Sequence, residues 1–413
     1  MANALVTPSM IAKEALMQLK NNMVMGNQVH REYKKEFTGG QGDTVSIRKP
    51  VKFYTADGAT RVNQDVEEKT TSITIDQRKH VSWAFNTQDL TLSIEEYSER
   101  YIKPAAITLA NTVDKSLYNL YRYAWNSQGT PGTTPANFAA IAESAQRLDE
   151  MAVPSDMRSM MVTPAAHYAV AGNQLTLDSI GSMGKSAYEN AQVGRVAGFD
   201  TFSSQNVANH TVGVATGTPL VNGAGQNVTY AASTGAPSQT LITDGWTNST
   251  TGILKAGDVF TIAGVFAVNP VPGEGTTGKT AMPYLQQFTV LADANSGATT
   301  GPATLTISPA IITTGPYQTV TAAPADNAAI TVRGTGGTAY PQNLGFHKNA
   351  FALVTCPLTM PDGAAFKARE SYNGLSMRVV KDYDITNDLD IIRLDILYGV
   401  KSIYPDLASR LWG

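Results

Sequence analysis

Apolar residues recur at helical spacing close to the start of the chain. A short amphipathic helix is predicted over residues 8–21, and Pro8 suits its first position. Its apolar stripe consists of Ile11, Ala15, Leu16 and Leu19. Such a helix buries its stripe either against its own domain or against a neighbouring molecule. Ile11, Leu16 and Leu19 are therefore candidate subunit-interface residues.

The longest helical pattern covers residues 94–124, where Pro104 either kinks the helix or restarts it. Beyond the proline the periodic apolar positions are Ala106, Ala110, Val113, Leu117, Leu120 and Ala124. At ~1.5 Å per residue, the part after Pro104 is about 30 Å long. This helix is long enough to form the backbone of a domain.

A second group of helices and strands follows the long helix. Thr134 and Pro135 are expected to open a helix, because Thr caps helices well and Pro suits the first helical position. Its predicted stripe is Phe138, Ile141, Ala145 and Leu148. A strand over 157–162 and a helix over 165–171 come next. Together they indicate an α/β layer.

Between the two helical regions, strand patterns flank a charged segment. Residues 44–53 predict one strand, which Pro50 interrupts, and residues 72–85 predict another with alternating apolar positions. The two would form a long two-stranded arm. Its charged tip carries Arg61, Asp65, Glu67, Glu68 and Lys69. Because an isolated hairpin is marginally stable in water, these five residues are candidates for contact with another surface, such as a neighbouring subunit.

Residues 212–342 are almost free of charge. This stretch holds three cations (Lys255, Lys279, Arg333) and five anions (Asp244, Asp258, Glu274, Asp293, Asp326). Short strands are predicted at 252–254, 259–268, 284–292, 303–307 and 329–332. The pattern predicts an inserted small barrel or sandwich within a host domain. The host then resumes with strands at 350–355, 376–383 and 389–400.

Composition narrows the functional classes. The chain has 413 residues, a net charge of −3 and a single cysteine, Cys356, which is expected to be a small buried residue. Lys and Arg are not clustered, in contrast to nucleic-acid-binding domains. The N-terminal residues do not resemble a signal peptide, and no apolar run reaches the ~18 residues of a membrane span. A protein without a membrane segment, made in a cytoplasm, is expected.

The sequence offers no recognisable active site. The five histidines do not share metal-ligand spacing, and no nucleophile motif is present. The glycine-rich run 333–337 lacks a following helix and favours a plain turn over a phosphate loop. The acids at 382–390 do not match a calcium loop, so strand ends and a turn are expected. We therefore predict no enzyme activity, no cofactor and no metal.

Three segments resemble the major coat proteins of short-tailed, Salmonella-type phages. They are Gln192-Val-Gly-Arg-Val-Ala-Gly-Phe-Asp200 with the following residues to Val207, Ala256-Gly-Asp-Val-Phe-Thr-Ile-Ala-Gly-Val-Phe266, and Ile391-Ile-Arg-Leu-Asp-Ile-Leu-Tyr-Gly-Val400 with Tyr404-Pro405. The order of elements along the chain also fits that family. The resemblance implies an α+β, HK97-like phage capsid fold with an inserted small β-barrel.

The resemblance also implies a division of the chain. Residues 1–38 would be the N-terminal arm, and 39–160 the extended loop, spine helix and peripheral domain. Residues 161–211 would begin the axial domain, 212–342 would be the inserted β-rich domain, and 343–413 would supply closing axial and peripheral strands and the C-terminal tail.

The implied function is that of a non-enzymatic major capsid protein in the virion. It would assemble with itself into hexamers and pentamers of an icosahedral shell, guided by a scaffolding protein. A portal protein and a decoration protein are further expected partners, and packaged DNA would be held without sequence-specific binding. The alternatives are a tail-tube subunit, a nanocompartment shell of the same fold, or a β-rich carbohydrate-binding or hydrolytic protein.

Overall fold

A computed structural model describes residues 8–33, 44–86 except 57, 65 and 67, 101–177, 191–230 except 192, 238–271, and 279–413 except 365 and 373. The helices are α1 (Pro8–Asn22), α2 (Lys103–Tyr118), α3 (Phe138–Glu150) and α4 (Pro164–Leu177). The strands of the first half are β1 (Thr44–Lys49), β2 (Lys69–Thr74), β3 (Gln77–Asn86), β4 (Asn126–Gln128), β5 (Arg158–Val162), β6 (Arg195–Val196), β7 (Phe199–Ser203) and β8 (Asn209–Thr211). The remaining strands are β9 (Gly217–Val221), β10 (Gln239–Trp246), β11 (Val259–Val268), β12 (Ala281–Val290), β13 (Ala303–Ser308), β14 (Ile330–Val332), β15 (Ala339–His347), β16 (Phe351–Thr355), β17 (Phe366–Tyr372), β18 (Leu375–Asp384), β19 (Leu389–Ser402) and β20 (Ala408–Trp412).

The chain divides into two compact units. The first comprises residues 1–46, 72–118 and 351–402, and the second comprises residues 47–71, 119–350 and 403–413. Both units mix helices and sheets, which confirms the α+β class expected from the sequence.

The first unit is a five-stranded sheet with two helices packed on it. Its order is β16-β19-β18-β17, and β3 pairs with β19. On β19, Leu394, Ile396 and Tyr398 are fully buried, as expected for a strand with one buried face, while Arg393 and Leu397 are partly exposed. Asp395, on the other face, is also fully buried. Helix α1 packs on α2, β17 and β18, while α2 packs on β19.

The predicted two-stranded arm is only partly correct. Strand β1 pairs with β2, but β2 ends at Thr74 and β3 begins at Gln77. Strand β3 then pairs with β19 over its whole length, from Asn86 opposite Leu389 to Gln77 opposite Tyr398. A long ladder inside a sheet with a buried face is more stable than a two-stranded ribbon in water. Strand β3 therefore joins the sheet instead of extending the arm.

The long helix follows the prediction beyond the proline. The α-helix runs from Lys103, with Pro104 in its first turn, and the two residues before it, Tyr101 and Ile102, are π-helical. All six predicted apolar positions are buried. After Tyr118 the backbone tightens into a 3-10 helix over Asn119–Tyr123. Residues 94–100 of the predicted helix lie outside the described residues.

The second unit contains the expected α/β layer. A seven-stranded sheet has the order β4-β20-β15-β5-β7-β6, with β8 also paired to β15. Strand β5 and helix α4 match the predicted elements. The start of α3 does not, because Asn137 rather than Thr134 caps it, by accepting a hydrogen bond from Ala140 N at 2.9 Å. Phe138 is consequently in the first turn and 55% exposed instead of buried.

The low-charge stretch forms a closed antiparallel barrel, one of the two predicted arrangements. Six strands follow the order β14-β11-β12-β13-β10-β9. The edge strands meet through a bridge between Leu220 and Ala329 and a hydrogen bond from Val221 N to Ala328 O at 3.0 Å. A buried cluster that includes Trp246, Phe260 and Phe288 fills its interior.

Sequence patterns found most of the barrel but not all of it. Strands β11 to β14 match four predicted strands, whereas residues 252–254 form only a bridge from Leu254 to Ala294. Strands β9 and β10 were missed. The host sheet resumes with β15 at Ala339, a strand that the sequence did not indicate and that runs past the expected boundary at 342.

Candidate assembly surfaces and the barrel junction

Part of the charged tip predicted from the sequence lies on an exposed loop between β1 and β2. Arg61 and Glu68 are exposed, and Lys69 begins β2 and is half-buried, whereas Asp65 and Glu67 lie outside the described residues. Glu68 Oε2 lies 3.6 Å from Arg48 Nη1 of the same chain, with both side chains more than half exposed. An exposed pair of this kind contributes at most about 1 kcal/mol, so it leaves Glu68 free to exchange partners.

The loop also carries apolar side chains that sequence reasoning did not select. Phe53, Val62 and Val66 are 51%, 45% and 62% exposed. Gln64 ties the two sides of the loop together, because its amide nitrogen donates to Tyr54 O at 2.6 Å and its oxygen accepts from Tyr54 N at 3.0 Å. The loop is thus held together internally while its apolar residues stay in water.

The apolar stripe of α1 is buried inside the first unit. Ile11, Leu16 and Leu19 are 6%, 4% and 0% exposed. This agrees with the alternative in which the helix docks on its own domain. Met10 and Met17 of α1 lie outside this stripe and are exposed.

A buried carboxylate on α2 holds the turn that follows α1. Asp114 Oδ2 accepts from Val24 N at 2.6 Å, and Oδ1 accepts from Gly26 N at 2.9 Å. Burial raises the pKa of Asp114 to about 6, although the backbone N–H donors favour its ionised form. One side chain of α2 therefore positions the segment between α1 and the rest of the chain.

The barrel joins its host sheet through a buried polar network. Asp258, in the turn before β11, accepts from His210 Nε2 at 2.7 Å with one oxygen and from Gly213 N and Lys255 N at 3.0 and 2.7 Å with the other. His210 lies on the host strand β8, and its Nδ1 is 2.9 Å from the Tyr121 hydroxyl. Asp258 is fully buried and His210 is 3% exposed.

Arg410 of β20 adds a cation to this junction. Its Nη1 donates to Gly257 O at 2.7 Å, and its Nη2 donates to Thr289 Oγ1 at 3.2 Å. The side chain is fully buried, and burial lowers its pKa to about 10, so the guanidinium stays charged at neutral pH. Gly257 has a φ of +105°, a conformation that favours glycine, so the turn can present its carbonyl to Arg410.

A second set of contacts fixes the barrel to β4 and to Gly129, which follows it. Gln287 donates to Ser127 O at 2.8 Å and accepts from Ser127 N at 2.6 Å. Arg333 Nη1 donates to the same carbonyl at 3.1 Å, and its Nη2 donates to Gly129 O. Arg333 was expected in a plain turn, and residues 333–337 do form turns in the structure.

Sequence reasoning missed the residues of this junction as a group. The only signal was the Gly257-Asp258 pair, which belongs to one of the quoted family segments. His210 and Arg410 lie 48 and 152 residues from Asp258 in sequence, and no spacing rule connects them. Only the pairing of β8, β15 and β20 brings them together.

The other candidate chemical groups can be located where the structure describes them. Within the described part of the chain, no group of three or more His, Cys, Asp or Glu side chains could hold a metal ion. Cys356 is half-buried rather than buried as expected. The acids at 382–390 lie at the end of β18, in a turn and at the start of β19, as predicted. Among the described residues, no helix has the length and apolarity to cross a membrane.

Comparisons with known proteins give a consistent result. The protein-family model described as "P22 coat protein - gene protein 5" matches residues 1–413. A "Major capsid protein" of Acyrthosiphon pisum secondary endosymbiont phage 1 is 27% identical over 292 residues, which cover 70% of this chain and 68% of that protein.

Solved phage structures give weaker similarities. A structure of Mycobacterium phage Che8 has a TM-score of 0.49 at 14% identity, covering 94% of this chain and 90% of the other. The capsid of Myoviridae Phage XM1 has a TM-score of 0.41 at 10% identity, covering 96% and 90%. Both TM-scores are below 0.5, so the assignment rests on the family match. Because that match spans the whole sequence, the chain belongs to the P22 coat protein family.

Proposed function

We propose that this phage coat protein is the major capsid protein that closes, as hexamers and pentamers, into the icosahedral shell around double-stranded DNA. Family membership supports the role of a shell subunit with an HK97-like fold. The observation that carries the proposal is the exposed loop between β1 and β2. A subunit that leaves Phe53, Val62 and Val66 in water on a self-tied loop has a surface suited to another subunit.

The charges around this apolar loop suit reversible assembly. Arg61 and Glu68 are exposed, and the sequence places Asp65 and Glu67 on the same segment. Single exposed pairs are worth about 0–1 kcal/mol, but many such contacts repeated around a shell add by avidity. Weak individual contacts let a wrongly placed subunit leave a growing shell.

The resemblance supports further partners for this role. A scaffolding protein would guide closure in the host bacterial cytoplasm, a portal protein would occupy one vertex, and a decoration protein would bind outside. The net charge of −3 suits a shell that encloses DNA without binding it tightly. In this role the chain acts as a structural protein and not as an enzyme.

The barrel has a proposed role within the subunit. Residues 212–342 would form the inserted domain, with 39–160 as the extended loop, spine helix and peripheral domain. The N-terminal arm would take 1–38, and the axial domain would take 161–211 with 343–413. The buried junction from Asp258 to Arg410 supports a barrel that stabilises its host sheet rather than one that hangs from a flexible linker.

Electron microscopy tests the function directly. The full chain is overexpressed alone and, in parallel, together with its neighbouring reading frames. Closed shells, spirals or polyheads are the expected products, and closed shells should increase when the neighbouring genes are present. A uniform 44 kDa monomer in both preparations would overturn the proposal.

A further inference from the structure

The second unit contains a cavity of about 300 Å³ that the coat function does not explain. It is lined by the base of the β1–β2 hairpin, the barrel and the residues after β19, together with Trp125 and Met151. The volume is at the lower end of the range for small-molecule sites, roughly 300–1,000 Å³.

Four lysines line this cavity. Lys49, Lys52 and Lys69 come from the hairpin and Lys279 from the barrel, whereas Asp406 is the one acid among the described lining residues. Like charges gathered in this way repel one another, and the half-buried Lys69 and Lys279 also lose hydration. The two most enclosed lysines show the effect: burial and neighbouring lysines lower the pKa of Lys69 and that of Lys279 to about 8.

The rest of the lining is mostly apolar or aromatic, with Gln286, Gln318 and Thr319 as further polar side chains. Tyr230 and Tyr317 stack with nearly parallel rings (4° apart), and Lys69 Nζ lies 5.9 Å from the Tyr230 ring centre. On another side, Lys49 Nζ lies 5.1 Å from the centre of the Tyr404 ring. Hydrogen bonds hold the arrangement in place, because the Tyr317 hydroxyl accepts from Lys52 N at 2.9 Å and Lys279 Nζ donates to Gln318 O at 3.1 Å.

We propose that this cavity is a binding site for a polyvalent oxyanion, a phosphate or carboxylate group carried by a small molecule. Four ammonium groups and one carboxylate give the cavity lining a net positive charge, and lysine is a common phosphate ligand in proteins. The tyrosine stack provides a flat apolar wall for the body of the ligand. A bound anion screens the repulsion among the lysines and links the hairpin to the barrel.

Thermal unfolding of the full chain tests the site. Sodium tripolyphosphate and sodium citrate are titrated separately against sodium chloride of equal ionic strength. At about ten times the dissociation constant, ligand linkage predicts a rise in Tm of roughly 3 °C. A larger response to tripolyphosphate identifies a phosphate source, and a larger response to citrate identifies a carboxylate source.

Matched variants separate the site from general salt effects. Lys69→Gln combined with Lys279→Gln should weaken binding at least tenfold in titration calorimetry. Lys255→Gln, which removes an exposed lysine of the same barrel, should bind like the original chain. Circular dichroism establishes that each variant is folded, and a double Lys→Arg variant at positions 69 and 279 provides a charge-retaining alternative that should still bind.

Two results would overturn the proposal. One is the absence of a Tm rise with either anion. The other is an equal rise in the original chain and in the folded double Gln variant. Neither measurement depends on shell formation, so failure here is distinguishable from failure of the capsid function.

Discussion

The barrel and the hairpin loop use charge in opposite ways. The barrel region has only eight charged residues between 212 and 342, yet one of them, Asp258, is fully buried and joins the barrel to the host sheet with Arg410. The loop is rich in charged residues. Its Glu68 forms an ion pair with Arg48, with Nη1 and Oε2 3.6 Å apart, and both side chains are largely exposed.

The difference shows that the position of a charge determines its effect more than the number of charges does. A buried group that loses its partners costs several kcal/mol, whereas an exposed pair contributes little. In this protein the buried Asp258 supports the fold at the junction, whereas Arg61 and Glu68 of the loop are exposed, and we propose that these two loop residues serve contacts between subunits.

The strongest test of this difference between buried and exposed charges is to remove the central carboxylate of the junction. We expect Asp258→Ala to lower the free energy of unfolding of the second unit by about 3–5 kcal/mol, because His210 and two backbone N–H groups lose their acceptor. Urea unfolding monitored by tryptophan fluorescence measures the change, since Trp412 packs 6.1 Å from His210.

Asp326→Ala is the matched control for this change. Asp326 also accepts from a backbone N–H, that of Gly223 at 2.8 Å, but its site is exposed. We expect a cost of about 1 kcal/mol or less. Equal costs for the two variants would show that burial at the junction adds nothing.

The pH dependence of Asp114 extends the comparison to a buried carboxylate in the first unit. Its folded pKa of about 6 is above the unfolded value of 3.8, so its stabilising contribution is present below pH 3.8 and lost as pH rises through 6. The free energy of unfolding of Asp114→Asn, relative to that of the original chain, is expected to rise by about 3 kcal/mol from pH 3.5 to pH 7. Urea unfolding at several pH values measures this difference. A constant difference across that range would contradict the raised pKa.

The tie within the loop is expected to have a local effect. Gln64→Ala removes two partly exposed hydrogen bonds to Tyr54, which together are worth about 1 kcal/mol. Amide hydrogen exchange at Tyr54 should become faster, while exchange in the barrel strands stays unchanged. Asn227→Ala, at another exposed amide side chain, serves as the control and should leave Tyr54 exchange as it was.

The smallest effect on unfolding, and the largest on assembly, is expected from reversing two charges of the loop. Glu67→Lys with Glu68→Lys should change the free energy of unfolding by less than about 1 kcal/mol. Shell yield, measured by sedimentation and electron microscopy, should fall strongly because the change is repeated in every subunit. Asp326→Lys, an exposed reversal on the barrel, should assemble normally. Full shell yield from the double variant would show that the loop charges do not contribute to assembly.

Sequence patterns predicted well those elements whose signal is local. The stripe of α1, the apolar positions of α2, and the strand over Val259–Val268 were each found because their spacing is contained in a few turns or one strand. The predictions were wrong for strands whose pairing partners are far away in the sequence. Strand β3 pairs with β19, about 300 residues away, and β15 lies at the centre of the host sheet although its sequence, with Pro341 and Gly345, lacks a clear strand pattern.

The candidate site was predictable only in part, for the same reason. The loop residues Arg61 and Glu68 stand out as charges on a segment between strands. Lys69 was selected only as part of the charged tip. The lysines of the cavity could not be recognised as a group, because Lys69 and Lys279 are separated by 210 residues. Desolvation and mutual repulsion arise only when folding brings these side chains together.

The sequence by itself determined the α+β class, the nearly uncharged module and the family of this coat protein, since composition and short motifs are properties of neighbouring residues. The tertiary structure alone decided that the module closes into a barrel, that Asp258 and Arg410 lie at the same buried junction, and that the α1 stripe faces its own domain. These outcomes depend on pairings between residues far apart in the chain, and their energies come from burial that no local pattern specifies.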